Sequence, residues 1–115
     1  MEIYVKGNKL KAALEDEAIC KRRFGEAMAK KIMLRVTALR AAASLEDFWP
    51  PMSGPERCHE LRGDRAGTFS IDVKQPSRLL FVPIEAEPRK KYADEQQRWK
   101  AITSIEIQSI EDTHG

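Results

Sequence analysis

Thr68-Phe69-Ser70-Ile71-Asp72-Val73-Lys74-Gln75-Pro76-Ser77-Arg78-Leu79-Leu80-Phe81-Val82-Pro83 is the stretch that decides how this chain folds. Its first six residues alternate, with Phe69, Ile71 and Val73 on one face. That is the period of an antiparallel strand with one buried side. Gln75-Pro76 supplies a turn, and Arg78 to Val82 is a second β-rich run. Pro83 ends the run because proline has no N–H for the ladder. Just upstream, Cys58 to Leu61 predicts a third, short strand, joined to the first by the turn Gly63-Asp64-Arg65-Ala66-Gly67. Three strands so closely spaced read as an antiparallel meander.

Downstream, residues 84–101 read as a polar excursion. Glu85 to Lys91 carries two acids, three bases and Pro88, a composition that belongs in water. Asp94 is placed to cap a short helix through Trp99, which would return Trp99 and Ile102 to the core. Ile102, Ile105, Ile107 and Ile110 then favour a strand. Ile110 falls one residue out of phase, which predicts a bulge near Ser109.

Upstream, Pro50, Pro51, Gly54 and Pro55 make a loop, and Ser44 to Asp47 resembles a weak capping box for a short turn at Phe48 and Trp49. Phe24, Met28, Ile32, Val36 and Leu39 form a helical apolar stripe. Gly25 interrupts it, and Asp16 is suited to cap a helix from Glu17. Asn8 is a candidate cap for Lys9 to Leu14. Met1 to Val5 reads as an opening strand with Ile3 and Val5 on one face. The order strand, helices, three strands, excursion, strand predicts an α+β domain, its N-terminal helices packed on one face of a small, mostly antiparallel twisted sheet.

Length and composition bound the function. The chain has 115 residues, 42% hydrophobic and 33% charged, which suits a single domain over 1–115. No apolar run is long enough for a membrane helix, and the opening residues do not have the pattern of a secretory signal, so a cytoplasmic, membrane-free protein is expected. Cys20 and Cys58 have no second Cys or His at ligand spacing, so neither a zinc site nor a disulfide scaffold is expected. The net charge is only +2, but residues 1–43 hold ten Lys/Arg against five Asp/Glu. Lys30, Lys31, Arg35 and Arg40 lie mostly off the apolar stripe. They are either a solvated helix face or a surface for an RNA backbone or an acidic partner.

Few residues could carry chemistry. Cys58-His59-Glu60-Leu61-Arg62-Gly63-Asp64-Arg65 packs one imidazole, two acids and two guanidinium groups into a strand and its turn. A lone strand histidine is more often structural than catalytic. Arg78 stands inside an apolar strand, where it is costly unless paired or facing an open surface. It is either partnered by Asp64, Asp72 or Glu60, or it is a clamp for phosphate oxygens. In the tail, Asp112 precedes His114 by two residues.

The tract His59 to Ile71, the run Arg78-Leu79-Leu80-Phe81 and the tail Asp112-Thr113-His114 together resemble the HigB branch of the RelE/ParE toxin superfamily. Lys6-Gly7-Asn8-Lys9-Leu10-Lys11 is similar to that family's start. The resemblance implies a RelE-like sheet and the toxin of a type II toxin–antitoxin (plasmid-maintenance) pair, a ribosome-dependent mRNA endonuclease. It places catalytic positions on His59, Arg62, Arg78, Asp112 and His114, and RNA contacts on Arg65, Lys74 and Thr113. The implied partners are mRNA on the ribosome and a HigA-like helix-turn-helix antitoxin, with operator DNA met only through the antitoxin complex. No cofactor or metal is implied, because a base for the 2′-OH, an acid for the leaving oxygen and fixed positive charge suffice for RNA cleavage. Two departures stand out. Thr113 replaces the family's tyrosine, and the lysines of the RelE branch are absent, Ser70 and Asp72 standing near those positions. The alternative is a catalytically inactive or gyrase-directed binding protein of the same fold.

Overall fold

The computed structural model describes residues 1–112. Five strands form one mixed sheet: β1 (Glu2–Val5), β2 (His59–Glu60), β3 (Phe69–Asp72), β4 (Ser77–Pro83) and β5 (Ser104–Asp112), in the order β1-β5-β4-β3-β2. β1 runs parallel to β5, and every other pair is antiparallel. Four helices accompany it: α1 (Asn8–Glu15), α2 (Glu17–Phe24), α3 (Glu26–Ala41) and α4 (Glu95–Ala101). This is the α+β architecture and element order expected from the sequence.

One core joins the layers. Leu10, Leu14, Ile32, Val36 and Leu39 from α1 and α3 pack against Phe69, Ile71, Leu79, Phe81, Ile105 and Ile107 of the sheet. Phe69 and Phe81 are cross-strand partners with stacked rings 5.5 Å apart. Trp99 meets Trp49 edge-on at 5.0 Å and Phe69 at 5.6 Å, so α4 closes the core beside β3 as its spacing predicted. Asp16 caps α2, accepting from the N–H groups of Ala18 and Ile19 at 2.8 and 3.2 Å. Gly25, at φ +86°, separates α2 from α3 at a backbone angle that a side chain would strain. In β5, Ser109 pairs with Leu80 but Ile107 pairs with Phe81, so Gln108 is the extra residue of a bulge. The bulge turns Ile110 back onto the core side, opposite Leu79.

Several local expectations needed correction. The strand expected over Cys58 to Leu61 contracts to His59–Glu60, because the Cys58 carbonyl turns outward to accept from the Met52 N–H at 3.0 Å. α1 starts at Asn8 with Gly7 at the cap position and no side-chain cap. β3 is buried on both faces rather than one. Within 84–101, Arg98 is only 4% exposed, so the excursion is not wholly solvated.

Candidate functional site

The sheet face turned away from α1–α3 is built by strand alternation. Residues directly opposite in paired strands share a face. One row across it is His59, Ser70, Leu80 and Ser109; the next is Asp72, Arg78 and Glu111. The turn Gly63–Arg65 curls over this face, since Arg65 reaches Glu111 at 2.8 Å across two intervening strands. Two predicted residues, His59 and Arg78, therefore stand on one side of the sheet. They are two strands and two residues apart, roughly 12 Å between backbones from ordinary strand spacings, and their side chains are long enough to approach one group lying between them.

His59 is held by its own backbone neighbourhood. Its Nδ1 lies 2.8 Å from the Arg57 carbonyl. A carbonyl only accepts, so Nδ1 carries the proton and, in the neutral ring, Nε2 is left as a lone-pair acceptor. That is the tautomer a proton-accepting histidine needs.

Arg78 faces Asp72, with Nε 3.7 Å from Oδ1, which is ion-pair distance but longer than a hydrogen bond. Of the three acids considered from sequence, Asp72 is the partner. Its other oxygen accepts from Gln75 at 3.0 Å and lies 3.4 Å from Arg57 Nε. Ser70 Oγ, Asp72 Oδ1 and Arg78 Nε are buried without a hydrogen-bond partner among the described residues. Three such atoms on one patch are unusual, because buried polar groups are nearly always satisfied. The Arg78 guanidinium is thus kept near its carboxylate without being locked in a bidentate pair, and 29% of its side chain stays exposed.

Arg65 is tied to Glu111, and Glu111 also accepts from Ser109 Oγ at 2.7 Å. The Arg65 hydrogen bond, helped by Ser109, holds the Glu111 carboxyl below its ordinary pKa. Lys74 is exposed in the β3–β4 turn. Arg62 is exposed and lines a cleft beside β2. Asp112 pairs with Ser77 at the end of β5, one place beyond Glu111, so alternation sets it on the opposite side from Arg78. Thr113 and His114 lie outside the described residues. The structure thus brings His59, Arg65 and Arg78 to one face, with Arg62 on the adjoining turn, and does not bring Asp112 to it.

Sequence reasoning missed the groups around Glu60. Arg98 donates Nε and Nη2 to the two oxygens of Glu85 at 2.9 Å each, and Nη1 to Glu60 at 2.8 Å and to Glu95 at 3.2 Å. Arg89 also pairs with Glu60 and Glu95. Glu60 further accepts from the Gly67 N–H at 2.9 Å. Burial pushes the Glu60 carboxyl up, but the hydrogen bonds from Arg98 and Gly67 and the two guanidinium charges outweigh it and hold the pKa below its ordinary value. Arg98 is held above its ordinary value, chiefly by Glu85. The only sequence signal was an arginine beside a core tryptophan in a short helix. Cys58 is inert as a nucleophile, its thiol pushed up to about 12 by burial. No helix among the described residues is long and apolar enough to cross a membrane.

No protein-family model matches this sequence, and neither does any curated protein. Solved structures do. A YoeB/ParE toxin from Agrobacterium tumefaciens covers 99% of this chain and 100% of its own, with TM-score 0.58 and 13% identity. The YoeB dimer from Staphylococcus aureus covers 100% and 98%, with TM-score 0.52 and 16% identity. At that identity the likeness establishes the fold, which is that of the RelE/ParE-type toxins. The neighbours named are YoeB, a different branch from the HigB branch that the motifs resemble.

Proposed function

We propose that this chain is the toxin of a type II toxin–antitoxin pair, of the HigB branch, and that it cleaves mRNA in the ribosome without a metal. The ribose 2′-oxygen attacks the adjacent phosphorus and the bond to the 5′-oxygen breaks. The 2′-OH proton goes to a base and a proton is supplied to the leaving oxygen, giving a cyclic phosphate and a free 5′-OH. Arg78 and Arg62 stabilise the phosphorane, since arginine keeps its proton and cannot act as a base. His59, through Nε2, and His114 are the proton-transfer groups. Asp112 sets the His114 tautomer or contacts RNA, and Arg65, Lys74 and Thr113 are RNA contacts. The partners are ribosome-held mRNA and a HigA-like helix-turn-helix antitoxin, with operator DNA met through that complex, in the cytoplasm. No cofactor enters the reaction.

One observation carries this reading: the loosely paired Arg78 stands on the same sheet face as His59, whose bond to Arg57 leaves Nε2 an acceptor. The test is induced expression followed by primer extension on cellular transcripts. Growth arrest with in-frame cuts, both lost in Arg78→Ala and His114→Ala, is the expected result. Undiminished arrest by Arg78→Ala overturns the assignment.

A binding protein of this fold, without cleavage, is favoured by a different observation. Arg78 and Arg65 each already face a carboxylate, Asp72 and Glu111, so neither guanidinium is an unpartnered charge for a phosphate backbone. That reading predicts arrest, or none, without cuts in translated mRNA.

A further inference from the structure

β1 closes one end of the sheet, and its outer edge is open. Glu2 and Lys6 donate their N–H groups to the Thr103 and Ile107 carbonyls at 3.0 and 2.9 Å. Alternation along the strand gives the backbone of Tyr4 to β5 as well, and turns the N–H and C=O groups of Ile3 and Val5 outward. β1 pairs only with β5, and no backbone group among the described residues takes up those outward groups. Ile3 and Val5 pack against the core yet stay only half-buried, so the helix layer does not roof the edge. Tyr4 is 51% exposed on the other face. Exposed edges are normally blunted by proline, a bulge or charge. β1 has neither proline nor bulge, and its charges are one acid and one base at opposite ends, Glu2 and Lys6.

We propose that this edge is a dimer seam, where β1 pairs antiparallel with β1 of a second copy about a two-fold axis at Tyr4. In that register Ile3 stands opposite Val5 of the second copy, and Val5 opposite its Ile3. Each such pair exchanges N–H···O bonds in both directions, so the two pairs use every open group of both strands. The same register sets Glu2 against Lys6 at both ends of the seam and Tyr4 against Tyr4 at its centre. Glu2-Ile3-Tyr4-Val5-Lys6 is thus complementary to its own reverse: acid meets base, β-branched meets β-branched, ring meets ring. A slip of two residues either way loses both charge pairs, so the register is specified. A strand of unrelated sequence gains the main-chain bonds alone. The charges that guard the edge against other strands attract when the strand meets itself. β2, which carries His59, is the opposite edge of the sheet, so the seam leaves that side of each copy uncovered and does not depend on the RNA reading.

The test is sedimentation velocity of the intact chain over a concentration series. A seam this short is at the small end of interfaces, so a monomer–dimer equilibrium with Kd on the order of 10–100 µM is expected. Lys6→Glu sets acid against acid at both ends and is expected to raise Kd at least about tenfold. Glu2→Lys is expected to do the same with base against base. An equimolar mixture of the two variants restores both charge pairs and is expected to dimerise as the parent does. Both positions are exposed, so neither variant disturbs the core. Tyr4→Cys tests the axis, where the facing Cα atoms would lie about 4.5 Å apart, within disulfide reach. The native Cys20 and Cys58 are buried. Tyr4→Cys is expected to cross-link under mild oxidation, and Leu34→Cys, at a similarly exposed position on α3, is expected not to. A parent chain that stays monomeric up to about 1 mM, a dimer indifferent to Lys6→Glu, a mixture that stays monomeric, or equal cross-linking at the two positions each overturns the proposal.

Discussion

At the scale of single residues, the account turns on which atom of His59 is held and which is left. Asparagine can keep the donor to the Arg57 carbonyl but has no counterpart of Nε2. His59→Asn is therefore expected to retain thermal stability within a degree or two of the parent and to lose activity as fully as His59→Ala. Melting curves beside a ribosome-dependent cleavage assay check this, and an Asn variant with wild-type activity would reduce His59 to a structural role. Arg78 offers a second test. Lysine keeps the charge but not the planar fork, so Arg78→Lys is expected to lose at least about tenfold in cleavage rate. These residues were legible because each is a chemical oddity in its setting: the sole histidine of a strand, and an arginine in an apolar run. Their partners were less so. Asp72 was one of three acids in contention, and only pairing opposite Arg78 singles it out. Asp112 illustrates the limit, since the bulge at Gln108 resets which β5 residues face Arg78, and Glu111 takes that place.

At the scale of elements, most local signals held, the Asn8 cap excepted, while side-chain partners distant in sequence were not legible. The Asp16 cap and the Gly25 break depend on neighbours three or four residues away, and both stand as the sequence suggested. Asp16→Ala is expected to cost about 1 kcal/mol by denaturant unfolding, the usual worth of a cap. The length of β2 was not legible, because it is set by the Cys58–Met52 hydrogen bond in a loop without periodicity. Nor was the burial of Arg98, whose partners lie at positions 60 and 85. That hub ties the 84–101 segment to β2. Removing a buried partner leaves uncompensated charge, so Arg98→Ala is expected to cost about 3–5 kcal/mol. Arg98→Lys, which cannot hold both Glu85 oxygens and Glu60 together, is expected to recover only part of it. Full recovery by lysine would show that charge alone, not the fork, holds the segment.

At the scale of the whole molecule, the balance of +2 says little about ligands, because a basic helical third offsets a slightly acidic remainder. The organisation of the fold was legible, since the order of periodic segments leaves few ways to bury every apolar face once. The ion pairs give the chain a pH dependence of definite sign. Glu60 and Glu111 have folded-state pKa values below the ordinary 4.5. Their contribution to stability is whole above 4.5 and is lost as pH falls through the lowered values. Glu60→Gln is therefore expected to be less stable than the parent at pH 7, and the gap should close as pH falls through the lowered Glu60 value. A gap that stays constant into acid would remove Glu60 from the account. The central claim, cleavage by groups on the sheet side turned away from α1–α3, is tested most directly by primer extension on a defined mRNA held in purified ribosomes. The prediction is cuts with the intact chain, none on free RNA, and a loss of at least about a hundredfold with Arg78→Ala, the scale of one preorganised charge-stabilising group. Cuts of equal strength from Arg78→Ala, or an uncut message with the intact chain, would contradict it.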